Sequence, residues 1–274
     1  MDQMQSTSAA TGGGAVRPSG RRRWGMRGDP GLTLVAVAIG MMMVGIDGTI
    51  VAVANPAIQA QLHASLAGIQ WVTNGYLLAL AVLLIPAGKA GDRFGHKKVF
   101  LIGAAGFAAA SAGVGLSGDV ARSTALVILF RVVQGAFGAM LQPTALALLR
   151  RNFPAEKLNS ALGVWGAVIG ASTAAGPIVG GLLVQHVNWE ACFYVNLPVA
   201  LVTLAVGLLV LRETSTSAAD RSFDLPGVGL LSVFLFTLVW TMIKGGAYGW
   251  GSTKTIALIV VATLAVTAFI VRES

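Results

Sequence analysis

Eight apolar runs fill this chain, at roughly 32–56, 69–88, 99–118, 123–149, 160–185, 192–211, 225–243 and 255–271. Most reach the roughly 20 residues needed to cross a hydrocarbon layer. Only short connections lie between them, which leaves no room for a soluble domain. The mean hydropathy is +0.76, and only 11% of residues are charged. In lipid every backbone N–H and C=O needs an internal partner, so runs of this kind fold as helices. The expected fold class is an all-α integral membrane protein.

The net charge of +8 raises the question of nucleic acid. Its distribution answers it. If the N-terminus is cytoplasmic, Arg17, Arg21, Arg22, Arg23, Arg27, Lys89, Arg93, Lys97, Lys98, Arg150, Arg151, Lys157, Arg212, Arg221 and Arg272 all fall on that side. Arg122, Lys244 and Lys254 fall on the other, and Arg131 lies within a span. This bias orients a multi-pass protein with both termini cytoplasmic, in the plasma membrane. The basic residues are topology signals first and contacts for anionic lipid second. No nucleic-acid partner is expected.

Four segments organise the chain. Residues 1–30 are rich in Ser, Thr, Gly and Arg without an apolar period, and are expected to form a disordered basic cytoplasmic tail. Residues 31–211 hold six spans that form one unit. Residues 212–224 are polar and read as a cytoplasmic linker, and 225–274 carry two additional transmembrane helices. The first apolar run is too long for a signal peptide and carries Asp47, so it is expected to stay attached. Cys192 is the single cysteine, which excludes an internal disulfide and a thiolate metal cluster. His63, His96 and His186 fall in or near loops and read as solvated surface, so no metal site is expected.

Four constellations carry chemistry. Asp47 sits near the middle of the first span, in Gly45-Ile46-Asp47-Gly48-Thr49-Ile50-Val51. Ionisable residues at bilayer depth cost at least about 2.5–3.5 kcal/mol and are functional by default. Burial favours the neutral acid and a nearby cation the ionised one, so an acid held between the two can load and release a proton. The alternative is a cap in a helix loosened by Gly45 and Gly48. Arg131, in the fourth span, lies one turn from Gln134 and Gly135. A guanidinium keeps its proton, so Arg131 is no general base but can hold a polar network beside an acid. Snorkelling to the surface is the alternative.

The third constellation is Gly88-Lys89-Ala90-Gly91-Asp92-Arg93-Phe94-Gly95-His96-Lys97-Lys98, joining the second and third spans. Its glycines permit a tight turn, and Asp92 can face a helix N-terminus or pair with arginine. Ion pairs at such a junction can lock one state of a moving bundle. A plain positive-inside loop is the bland reading. The fourth is Gly170-Ala171-Ser172-Thr173-Ala174-Ala175-Gly176-Pro177-Ile178-Val179-Gly180-Gly181. Pro177 removes a helix hydrogen bond, and the glycines let a neighbouring helix press close, so this is a hinge or seal.

These segments resemble the signature motifs of the major facilitator superfamily, most closely those of its fourteen-span drug:proton antiporters. Gly88–Lys98 is similar to the shared loop motif, Arg131-x-x-Gln134-Gly135 to the fourth-helix motif, and Gly176-Pro177-x-x-Gly180-Gly181 to the antiporter motif. Asp47-x-Thr49-Ile50-Val51, Gln70-Trp71-Val72 with Tyr76-Leu77, Phe193-Tyr194-x-Asn196-x-Pro198 and Phe223-Asp224 fit the same branch. The sequence departs from that pattern at Ala52 and Asn55, and at Glu190-Ala191, where an Arg followed by a second Trp is usual.

The resemblance implies alternating-access export of amphipathic, often cationic, compounds in exchange for protons. It gives Asp47 the proton or substrate-cation role, with Arg131 aiding transfer. Gly88, Gly91, Asp92, Arg93, Gly95, Lys97 and Lys98 become a conformational latch, and Gly170, Gly176, Pro177, Gly180 and Gly181 a leak-limiting hinge. No catalytic residue, and no cofactor beyond the proton gradient, is implied. The eight spans would be the six-helix N-terminal bundle plus two added helices. The C-terminal bundle would be missing and supplied by a further half or a second chain. The rival readings are a facilitator of another small solute and a non-transporting membrane fragment.

Overall fold

The computed structural model describes residues 27–213 and 225–273. They form α1 (Pro30–Leu62), α2 (Leu66–Phe94), α3 (His96–Asp119), α4 (Thr124–Asn152), α5 (Ala155–His186), α6 (Ala191–Tyr194), α7 (Asn196–Val210), α8 (Leu225–Tyr248) and α9 (Thr253–Glu273). With α6 and α7 taken as one span, eight helical segments are long and apolar enough to cross a membrane. The all-helical expectation holds, and no strand occurs among the described residues.

The helices outrun the apolar runs. Asn55-Pro56 does not end the first span; α1 continues through Pro56 to Leu62. A proline in a membrane helix forfeits one hydrogen bond, and neighbouring helices can compensate for it. The sixth run is one helical span, Ala191–Val210, in which Val195 between α6 and α7 keeps helical backbone angles. The expected tail is already ordered at its last residues. Gly28 donates its backbone N–H to the Val210 carbonyl at 2.8 Å, and Pro30 begins α1. Residues 1–26 and 214–224 lie outside the described residues, so most of the expected tail and linker are not described.

The most extensive packing joins α2 to α4, α3 to α4 and α1 to α5. Small residues make the approach possible. At Gly135 of α4 a Cβ would collide with the Tyr76 carbonyl of α2, and Gly106 and Gly113 of α3 seat the rings of Phe137 and Phe130. Close backbone contact of this kind replaces the hydrophobic drive that lipid does not supply. One apolar cluster gathers Met43, Phe100, Phe107, Leu141, Leu148 and Leu149; a second gathers Ile50, Ile58, Val127, Trp189 and Phe193. Helices α8 and α9 form a pair that rests on α2. Trp240 meets Trp71 at 5.2 Å between ring centroids, stacks on Phe236 at 5.4 Å, and Lys244 lies over the Trp71 ring at 5.2 Å.

Candidate functional site

A buried polar network lies between the two apolar clusters. The Asp47 carboxylate on α1 receives three donors: Arg131 Nη1 at 2.6 Å, Gln134 Nε2 at 2.8 Å and Asn196 Nδ2 at 3.0 Å. Arg131 and Gln134 project from one face of α4, and Asn196 opens α7. Ser111 of α3 closes the ring, its Oγ accepting from Gln134 at 2.6 Å and from Asn196 at 3.1 Å. Arg131 also donates from Nη1 to Gln134 Oε1 at 2.6 Å and from Nε to the Val72 carbonyl of α2 at 3.1 Å. Its guanidinium lies 4.1 Å from the Tyr76 ring centroid and 5.6 Å from that of Phe193. Asp47, Arg131 and Gln134 have no exposed surface.

The geometry excludes snorkelling for Arg131, which points inward into an ion pair. It also excludes a cap for Asp47, whose oxygens go to other helices. Two other helices, α4 and α7, converge on the one carboxylate, and α3 and α2 join the network through Ser111 and the Val72 carbonyl. A proton added there would cancel the charge that Arg131 faces and loosen contacts to α4 and α7 together. The carboxylate thus ties α1 to α4 and α7 through one charged group. Ser111 and Asn196 carried no separate functional expectation. A lone serine in the run Gly103–Gly115 and an asparagine at a span's edge were the available signals.

The hinge segment divides. Gly176 and Gly180 face α1: a Cβ at Gly176 would collide with the Thr49 hydroxyl, and one at Gly180 would lie 2.8 Å from Ile50 Cγ1. Gly170 and Gly181 have nothing within 4 Å, and Pro177 is exposed. The α5 helix runs unbroken through Pro177.

The loop constellation forms the α2–α3 junction. Gly95 takes φ +102°, a conformation that side chains rarely adopt, and separates the two helices. Asp92 pairs with His96, Oδ1 to Nε2, at 3.3 Å. His96 is 3% exposed, which corrects its reading as solvated surface; His63 and His186 are exposed. Gly91 makes room for the His96 ring, and Gly88 lies against Pro143. Arg93 sits over the Phe94 ring at 5.3 Å.

Lys97 Nζ donates to the Leu208 and Leu211 carbonyls at 3.0 and 2.7 Å, capping α7. The Glu213 carboxylate receives the Lys97 and Lys98 backbone N–H groups at 3.1 and 3.2 Å. It sits on the positive end of α3, in space that Gly95 leaves open. The segment after α7 is thus pinned to the junction.

Residues 37–272 match the family model of the Major Facilitator Superfamily. The chain belongs to this superfamily. Among curated relatives, it is 59% identical over 250 residues to the tetracenomycin C resistance and export protein of Streptomyces glaucescens, covering 91% of this chain and 46% of that protein. It is 38% identical to the puromycin resistance protein of Streptomyces alboniger, over 93% of this chain and 48% of the relative. The methylenomycin A resistance protein of Streptomyces coelicolor is 34% identical over 97% of this chain and 55% of its own length. The chain spans about half the length of the curated relatives it matches.

Solved structures support the superfamily fold. A peptide transporter in complex with sulfate superposes with a TM-score of 0.54 at 14% identity, covering 84% of this chain and 48% of that one. A D-xylose–proton symporter gives 0.53 at 15% identity, over 86% and 65%. The chain is a multi-pass membrane protein of a transporter family.

Proposed function

We propose that this chain is part of a proton-coupled exporter of amphipathic compounds, of the fourteen-span antiporter branch, working by alternating access. The carrying observation is the Asp47 carboxylate, fully buried and held by Arg131, Gln134 and Asn196 from two other helices. In this reading Asp47 takes and gives the proton, and Arg131 supplies a permanent positive charge that drives release. The α2–α3 junction is the latch, and the α1–α5 contact at Gly176 and Gly180 is the seal. The latch end and both termini are cytoplasmic, in the plasma membrane, and the only energy source is the proton gradient. The chain performs no enzymatic reaction. The resistance and export names of the relatives favour a small bioactive substrate.

A second reading concerns what completes the chain. Gly163, Gly166, Gly170 and Gly181 on α5 face open space. Close-packed glycines suit a helix neighbour, so this face is proposed to receive further helices, from a longer protein or a partner chain.

The test places the chain in vesicles with an imposed pH gradient and follows efflux of a fluorescent cation, alone and with the second half of a relative. Efflux that needs the second half and is lost in Asp47→Asn supports both readings. Efflux by the chain alone overturns the second, and proton dependence unchanged in Asp47→Asn overturns the first.

A further inference from the structure

At the end of the bundle opposite the α2–α3 junction lies a second buried carboxyl. Glu190 precedes α6 and is 1% exposed. Its Oε1 accepts one hydrogen bond, from Gln61 Nε2 of α1 at 2.7 Å. Gln61 Oε1 in turn accepts from the indole N–H of the neighbouring Trp189 at 3.0 Å. Oε2 is buried with no partner among the described residues. Both side chains rest on Gly118 of α3, where a Cβ would collide with the Trp189 ring and lie 2.7 Å from Glu190 Oε1.

Among the described residues no salt bridge holds the Glu190 carboxylate, and Arg122, which follows α3, is exposed. From α3, Asp119 adds a second negative charge, and its Oδ2 accepts from the Tyr194 hydroxyl at 2.8 Å. From α6 itself come Tyr194 and the buried Cys192. The α1 and α5 helices end at His63 and His186, both exposed, and α7 begins with Asn196, whose amide goes to Asp47. No ion pair among the described residues includes Glu190. A buried carboxylate with one oxygen unpaired is more costly than the neutral acid in the same place. Burial, with Asp119 adding to it, pushes the Glu190 carboxyl above its usual range.

We propose that Glu190 is a proton-binding site that clasps the end of α1 to α6 while protonated and releases it on ionising. Ionisation adds a charge with no counter-ion beside Asp119, so the Glu190–Gln61–Trp189 chain opens and water reaches the junction. The site is separate from Asp47, and its titration does not depend on the transport reading.

Cys192, two residues away and buried, is the only cysteine and reports the opening. The purified full chain in lipid nanodiscs is labelled with a maleimide between about pH 5 and pH 9, spanning the ordinary carboxylate value and well above it. Rates are normalised at each pH to the denatured chain, which removes most of the pH dependence of thiolate formation, and what remains is common to the wild type and Glu190→Gln. Normalised labelling rises several-fold with pH in the wild type, stays low and flat in Glu190→Gln, and shifts its midpoint to lower pH in Asp119→Asn. A flat wild-type profile, or the same rise in Glu190→Gln, overturns the proposal. If Glu190→Gln does not fold, an unshifted midpoint in Asp119→Asn overturns it instead.

Discussion

The Thr49 hydroxyl of α1 donates to the backbone carbonyl of Thr173 on α5, at 2.9 Å. Thr173 lies four residues before Pro177, which has no N–H to offer it. The carbonyl that the proline strands is therefore satisfied from the neighbouring helix, two residues from Asp47. This lets α5 carry its proline without breaking, and it ties the helix of the buried acid to the glycine-rich one.

Replacing Thr49 with Val removes that donor and keeps the shape. The expected cost is about 0.6–1.7 kcal/mol, the range for hydrogen bonds between membrane helices. Thr49→Ser, which retains the hydroxyl, stays near wild type. Thermal unfolding of the detergent-solubilised chain reads the difference.

Gly176 and Gly181 belong to the same motif and predict opposite outcomes. An added Cβ at Gly176 meets Thr49 and lies 2.9 Å from the Ile46 carbonyl, whereas at Gly181 it meets nothing within 4 Å. Gly176→Ala should lower the thermal midpoint, and Gly181→Ala should leave it unchanged or raise it slightly, since Ala is the better helix former.

These contrasts mark how far the sequence could be read. The run lengths fixed the number of spans, and Asp47 and Arg131 stood out because charge in lipid is expensive. What the one-dimensional pattern lacks is direction. Gly176 and Gly181 are both glycines in one motif, and only the position of α1 separates them. His96 lies at a helix start that reads as a loop, yet Gly91 opens a slot for its ring beside Asp92. Ser111 and Asn196 gain meaning only when three helices bring them to one carboxylate.

The ion pair predicts strong coupling. Arg131→Met leaves a buried carboxylate without its cation and should cost about 3–5 kcal/mol. Asp47→Asn leaves the guanidinium unpaired and is also destabilising. The double variant should recover part of the loss, because it removes both charges. A double-mutant cycle on unfolding free energies checks this, and simple additivity would deny the coupling.

Glu190 contributes a falling term to the pH dependence of stability, opposite in sign to that of buried His96 at the α2–α3 junction, whose imidazole is held below its usual value by burial. Its carboxyl is raised in the folded chain, so the folded state binds more protons than the unfolded one. The stabilisation is fully present below the ordinary glutamate value, and it falls as pH rises from there through the raised one. Thermal unfolding across that window should show a decline in the wild type that flattens in Glu190→Gln.

The most direct test of the account asks whether Asp47 carries a proton. Infrared difference spectra between acidic and alkaline buffer, taken on the full chain in lipid, report protonated carboxyl groups one variant at a time. The account predicts a carboxyl C=O band that disappears in Asp47→Asn and survives in Glu190→Gln. Spectra of Asp47→Asn that superimpose on the wild type would contradict it.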